Sequence, residues 1–192
     1  MTALDTFLSL AGAAVTARAT GPAAPAATRI TALLATPPQP APPQPAPPQA
    51  PTRRPACAPL PAALADMRAD LAAAFTALEP QLCWKSRVFP DAKPGFNTGH
   101  ANARILGPEG LEQRGGLIAG FSLVGPNITY PDHDHPPEEI YLALSGGAWW
   151  NTDTPWHEPG PGRIVHNPPG IRHAMRGTNV PLLAIWFLLP SE

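Results

Sequence analysis

The sequence predicts a mainly β chain, an antiparallel barrel preceded by helices, and two observations carry that prediction. From residue 116 onward the apolar residues fall in short alternating or continuous runs, separated by Gly-Pro, Pro-Pro and Pro-Gly turn signals. Before residue 80 they recur instead at three- and four-residue spacing, the period of helices that bury one face. No helical pattern interrupts the strand-rich part, so a parallel α/β sheet is disfavoured. A chain of 192 residues has room for one well-buried domain with appendages rather than for two.

The first predicted element is a helix over residues 4–18, with Asp5 near its start and Leu4, Phe7, Leu8 and Val15 roughly on one side. Residues 7–15 are apolar and Ala17-Arg18-Ala19 resembles a small-residue cleavage site, but the preceding segment carries Asp5 and no Lys or Arg, which argues against export. No apolar run approaches the roughly 20 residues that span a bilayer, and a cytoplasmic location is expected. Residues 37–51 repeat a five-residue Pro-Pro-Gln-Pro-Ala unit. Proline fixes φ and lacks the backbone donor, so this tract is expected to form neither helix nor sheet but extended polyproline II. It reads as a semi-rigid spacer or a surface-loop insertion rather than a ligand for a proline-recognising groove. One helix is predicted over residues 61–79, where Leu64, Met67, Leu71, Phe75 and Leu78 follow Leu60 at helical spacing. Strands are predicted at 117–124, 138–144, 148–151, 163–166 and 182–189. The chain thus divides into an N-terminal helical segment, residues 1–60, with a proline-rich insertion at about 36–51, and residues 61–192, a helix plus the barrel.

A net charge of −1, with 14% charged residues, offers no basic surface for nucleic acid or anionic lipid. Cys57 and Cys83 lie outside any C-x-x-C pattern and read as free, reduced thiols.

Chemistry concentrates in His133-Asp134-His135-Pro136-Pro137-Glu138-Glu139-Ile140-Tyr141. Residues two apart in an extended chain share a face, so His133 and His135 project together, as do Glu139 and Tyr141. The Pro136-Pro137 turn is expected to fold these pairs across from one another as a hairpin, while Ile140, Leu142 and Leu144 pack on the opposite face. His173, which follows a Pro-Gly turn at 169–170, supplies a further imidazole. Imidazoles with a carboxylate and no thiolate suit zinc, iron(II), manganese or nickel in an open site rather than a closed structural zinc.

These segments resemble the two cupin motifs: His133, His135, Glu139 and Gly146 match the first, and Gly162, Pro168, Gly170 and His173 the second. Two end positions depart from the pattern: Asn127 stands where a glycine is expected, and Gly177 where an asparagine is. The resemblance implies a cupin, a jelly-roll-like antiparallel β-barrel preceded here by N-terminal helices, and makes residues 61–192 the catalytic domain. More narrowly, Tyr130 just before the first histidine and Tyr141 two residues after the glutamate, the chain's two tyrosines, make the sequence similar to the cupin-type dimethylsulfoniopropionate lyases over about residues 61–190.

That family implies a carbon–sulfur lyase that breaks dimethylsulfoniopropionate into dimethyl sulfide and acrylate, with one divalent transition metal ion, zinc, iron(II) or manganese, polarising the substrate carboxylate. His135, Glu139 and His173 are the secure ligands it implies, while His133 and Tyr141 compete for the remaining position. Tyr130 is the expected general base, with Tyr141 as an alternative base and His133 beside them. His100, His157 and His166 are expected in packing or surface roles. The substrate's sulfonium could rest on the face of Trp149, Trp150 or Trp186; the first two are adjacent, so at most one of them points inward. The expected partner is a small sulfonium carboxylate, without nucleic acid or membrane, and a homodimer is compatible with the sequence. Cupin barrels also host dioxygenases, isomerases and non-catalytic binders of small ligands, which oxygen consumption or binding without turnover would reveal.

Overall fold

The computed structural model describes residues 1–40, 51–89 and 92–190. Most of the proline repeat, residues 41–50, lies outside the described residues. Helix α1 (Ala3–Arg18) opens with a capping box, in which the Thr2 hydroxyl accepts the Asp5 N–H and the Asp5 carboxylate accepts the Thr2 N–H. It is followed by α2 (Ala23–Leu34), whose buried face is Ala23, Ala26, Ala27 and Ile30. That helix escapes a hydrophobicity reading because its buried stripe is mostly alanine. Strand β1 (Gln39–Pro40) then pairs antiparallel with Glu112–Gln113, which overturns the expectation that the whole proline tract avoids sheet. β1 is an edge strand, the place in a sheet where proline is tolerated.

The single helix expected over 61–79 is two, α3 (Leu60–Ala65) and α4 (Ala69–Leu78). The backbone leaves helical geometry at Arg68, where φ is −52° and ψ is 130°. Met67 is buried at this corner, and Asp70 begins α4 by accepting the Leu71 N–H and pairing with Arg68. The acidic residue suits the positive end of the new helix.

After the four-residue α5 (Phe96–Gly99) come the strands β2 (His100–Leu106), β3 (Glu112–Gln113), β4 (Ile118–Val124), β5 (Thr129–His133), β6 (Glu139–Ala143), β7 (Ala148–Asn151), β8 (Thr154–His157), β9 (Ile164–Asn167), β10 (His173–Arg176) and β11 (Leu182–Leu188). They form a seven-stranded sheet, β1-β3-β2-β4-β11-β6-β9, and a four-stranded sheet, β5-β10-β7-β8. Pairing is antiparallel throughout except for the short contact of β2 with β3. The result is mainly β and cupin-like, although among the described residues no ladder closes the two sheets into a continuous barrel.

Strand parity sorts the side chains into two cores. Ile140, Leu142 and Leu144 join Phe7, Phe75 and Phe121 in the layer between the helices and the larger sheet, where Phe121 meets both other rings at 5.0 Å. Tyr141, Ala143, Ala184 and Trp186 face inward with Tyr130, Trp149 and Met175. Arg114 ties the helical layer down by bonding Glu112, Asp5 and the Leu34 carbonyl. No helix among the described residues is long and apolar enough to cross a membrane.

The expected hairpin across Pro136-Pro137 does not form. β5 pairs with β10 in one sheet, and β6 with β11 and β9 in the other. Two prolines without N–H donors end a ladder, and the chain crosses between sheets instead of returning beside itself.

Candidate functional site

The crossover is what assembles the site. β5 ends at His133, which lies opposite His173 on β10; His135 stands in the connection; and β6 begins with Glu139, opposite Asn167 of β9 and Leu188 of β11. One donor atom each from His135, Glu139 and His173 lie within 4.8 Å of one another. Each imidazole is oriented by a backbone carbonyl: His133 Nδ1 lies 2.9 Å from Pro131 O, His135 Nδ1 2.9 Å from Pro137 O, and His173 Nδ1 3.0 Å from Ile171 O. With Nδ1 engaged by a carbonyl, Nε2 is the ring nitrogen each imidazole has left to turn toward the site.

His135 Nε2 and His173 Nε2 each lie 3.3 Å from Glu139 Oε2, yet both are buried without a hydrogen-bond partner among the described residues. Two orphaned nitrogens beside a carboxylate that is 3% exposed are what a cation-binding cluster presents, since leaving a buried polar atom unpaired costs about 1–3 kcal/mol. Asn167 Nδ2 donates to Glu139 Oε2 at 3.1 Å and is itself held by Asn151. Burial pushes the Glu139 carboxyl up, but the His135 and His173 imidazoles outweigh it and hold the pKa at about 2. For His135 burial is again the largest influence, opposed and exceeded by Glu139, so its pKa is raised. His133, without that carboxylate contact, is lowered to about 4 by burial and by His173. The residues present therefore fit a divalent ion at His135, Glu139 and His173, while His133 and Tyr141 border the group.

The site opens into a cavity of about 410 Å³ between the sheets. Tyr130 is 2% exposed and lies 5.0 Å, ring to ring, from His133. Its hydroxyl oxygen accepts from Arg87 Nη1 at 3.2 Å and from Asn102 Nδ2 at 3.5 Å. The Ser122 hydroxyl fixes the Asn102 amide by donating to its oxygen at 2.7 Å. Burial raises the Tyr130 pKa, and the Arg87 charge opposes that rise. Tyr141 is raised well above the ordinary tyrosine value, by burial first and then by the Glu139 charge.

Trp186 also lines the cavity and sits between Tyr141 and Gly120 in the strand register. A Cβ at Gly120 would fall 2.5 Å from Trp186 Cζ2 and 2.6 Å from Ala103 O, so the indole lies across β4 because that strand has no side chain there. Trp149 is buried in the same inward layer, while its neighbour Trp150 is only partly buried, in keeping with strand alternation. His100 is wholly buried against Phe96, His157 is partly exposed, and His166 bonds Glu138 at 2.8 Å, all three outside the cluster.

Arg87, Asn102, Ser122 and Asn167 are site residues that sequence reasoning missed. Arg87 and Asn102 lie 43 and 28 residues before Tyr130, so no local spacing points to them. Asn167 falls inside the second motif, one residue before Pro168, and its parity on β9 was the available signal.

A family model described as dimethylsulfoniopropionate lyase matches residues 24–184. Over 75 residues the chain is 41% identical to a provisionally assigned dimethylsulfoniopropionate lyase, DddL, of Cereibacter sphaeroides, a match covering 38% of this chain and 31% of that protein. Over 84 residues it is 34% identical to the dimethylsulfoniopropionate lyase DddQ of Ruegeria pomeroyi, covering 42% and 41%. The matches thus span less than half the length of either relative. The crystal structure of DddQ from Ruegeria pomeroyi superposes with a TM-score of 0.68 at 26% identity, covering 97% of this chain and 92% of that one.

Proposed function

Because the chain belongs to the dimethylsulfoniopropionate lyase family, matched over residues 24–184, we propose that it is a carbon–sulfur lyase that eliminates dimethyl sulfide from dimethylsulfoniopropionate and leaves acrylate. The observation that carries this reading is the pair of orphaned Nε2 atoms of His135 and His173 around Glu139, where His135 and Glu139 line one cavity with Tyr130. A divalent transition metal ion, zinc, iron(II) or manganese, held by His135, Glu139 and His173 with Tyr141 or His133 completing the set, supplies a Lewis acid for the substrate carboxylate.

Tyr130 is the general base: its oxygen takes the proton next to the carboxylate, the C–H pair becomes the new double bond, and the C–S bond breaks with its electrons leaving on dimethyl sulfide. A phenol with an ordinary pKa near 10 needs a cation beside it to act so; Arg87, at 3.2 Å, opposes the rise that burial imposes on Tyr130. Tyr141, buried beside the carboxylate, serves as ligand or wall. Trp186 presents its ring to the cavity, where the sulfonium can rest on its face.

The reading is tested by incubating the protein with dimethylsulfoniopropionate under nitrogen and following dimethyl sulfide in the headspace. Oxygen-independent release with stoichiometric acrylate is expected. Oxygen consumption, or binding without turnover, would instead place the chain among cupins of other chemistry.

A further inference from the structure

We propose that Arg87 is a positioning residue for this reaction, which sets the Tyr130 oxygen in the cavity from a strap, residues 84–89, pinned beside the cavity by His100. The inference rests on the lyase reading. The strap is anchored by the paired backbone bonds of Lys85 with Asn102, both 2.8 Å, and by the Ser86 hydroxyl on His100 O at 2.9 Å. The Arg87 N–H then donates to His100 Nε2 at 2.9 Å. His100 can accept there because its other nitrogen is engaged: Nδ1 lies 2.6 Å from Phe96 O, and the ring is stacked on Phe96 at 3.8 Å and has no exposure. Burial lowers the pKa of this imidazole and keeps it neutral, the form in which Nε2 accepts.

The backbone so fixed lets the guanidinium of Arg87, an exposed residue, reach the cavity lining. It lies over the Phe89 ring at 5.2 Å and donates through Nη1 to the Tyr130 oxygen. Among the described residues no carboxylate stands within ion-pair distance of Arg87, so the tyrosine is its charged group's partner. Asn102 approaches the same oxygen from the barrel wall, and two donors from different directions hold it in one place. Proton abstraction from carbon depends on that placement, since a displacement of about 1 Å can cost on the order of 100-fold in rate.

The test is kinetic and spectroscopic. Arg87→Ala is expected to lower kcat about 10- to 100-fold with KM changed less than about threefold, to keep its metal, to regain part of the loss with millimolar guanidinium, and to cost nothing further in a Tyr130→Phe background. Arg87→Lys should fall between. The chain has two tyrosines, so protein labelled with carbon-13 at the tyrosine ζ carbon gives two resonances, and the one that Tyr130→Phe removes should move in Arg87→Ala. A raised KM at unchanged kcat would make Arg87 a carboxylate clamp and overturn the proposal, as would metal loss, an undiminished effect without Tyr130, or an unmoved resonance. If the wild-type protein releases no dimethyl sulfide, the lyase reading fails, and the resonance still decides whether Arg87 sets Tyr130.

Discussion

An imidazole whose Nδ1 is tied to a carbonyl has one ring nitrogen left to place, and His135 and His173 both place their Nε2 in a buried space beside Glu139. The neighbouring Asn167 adds the donor that fixes the carboxylate. Asn167→Ala should therefore weaken metal affinity about 10- to 100-fold, measured by competition with a chelator, without changing which residues bind. Tyr130→Phe should keep its metal and lose about 100- to 10,000-fold in kcat, the range of a general base; near-normal turnover would remove Tyr130 from that role. The residues of the cluster were legible in the sequence because His135 and Glu139 stand in one short segment and His173 in a second motif. Even the departures make physical sense: Asn127 stands where the pattern has glycine and takes φ of 59°, a conformation asparagine tolerates better than most residues. Arg87 was not legible, since its link to Tyr130 exists only once β2 holds residues 84–89 beside the cavity.

Among the elements, strand parity is the most informative local rule. Alternation along the sequence separates Ile140, Leu142 and Leu144 from Tyr141, and those residues do face different cores. The same rule cannot say which strand pairs with which, because a ladder partner is a long-range choice; hence β5 and β6, expected to form a hairpin, lie instead in different sheets. The alanine face of α2 and the corner at Arg68 escape for a related reason, that tertiary packing rather than periodicity decides them. The seat of Trp186 on β4 makes a further prediction. Gly120→Ala forces the indole or β4 to shift, and should cost about 1–3 kcal/mol in thermal unfolding together with a raised KM. Unchanged stability and KM would mean that the ring does not depend on that gap.

Over the whole molecule, the helices and the larger sheet share one core, so the helical layer braces that sheet on the face opposite the cavity. Part of that bracing is electrostatic. Glu79, at the end of α4, is 6% exposed; it receives two hydrogen bonds from Arg53 and one from the Trp84 indole. Arg53 is the main cause of a Glu79 pKa below its ordinary value of 4.5, against the opposing effect of burial. A depressed folded-state pKa stabilises the fold above the unfolded value, and that contribution is lost as pH falls through the folded one. Arg53→Met should thus flatten the acid limb of a stability–pH curve below about pH 4.5, with little change in its shape above; an acid limb as steep as wild type would contradict the assignment. The central claim, that a divalent metal in the His135, Glu139 and His173 cluster drives elimination of dimethyl sulfide, is tested most directly by stripping the protein with a chelator and titrating metal back while following headspace dimethyl sulfide. Release should vanish on stripping and return in proportion to metal up to one ion per chain, with Glu139→Gln failing to recover; full release from the stripped protein would contradict it.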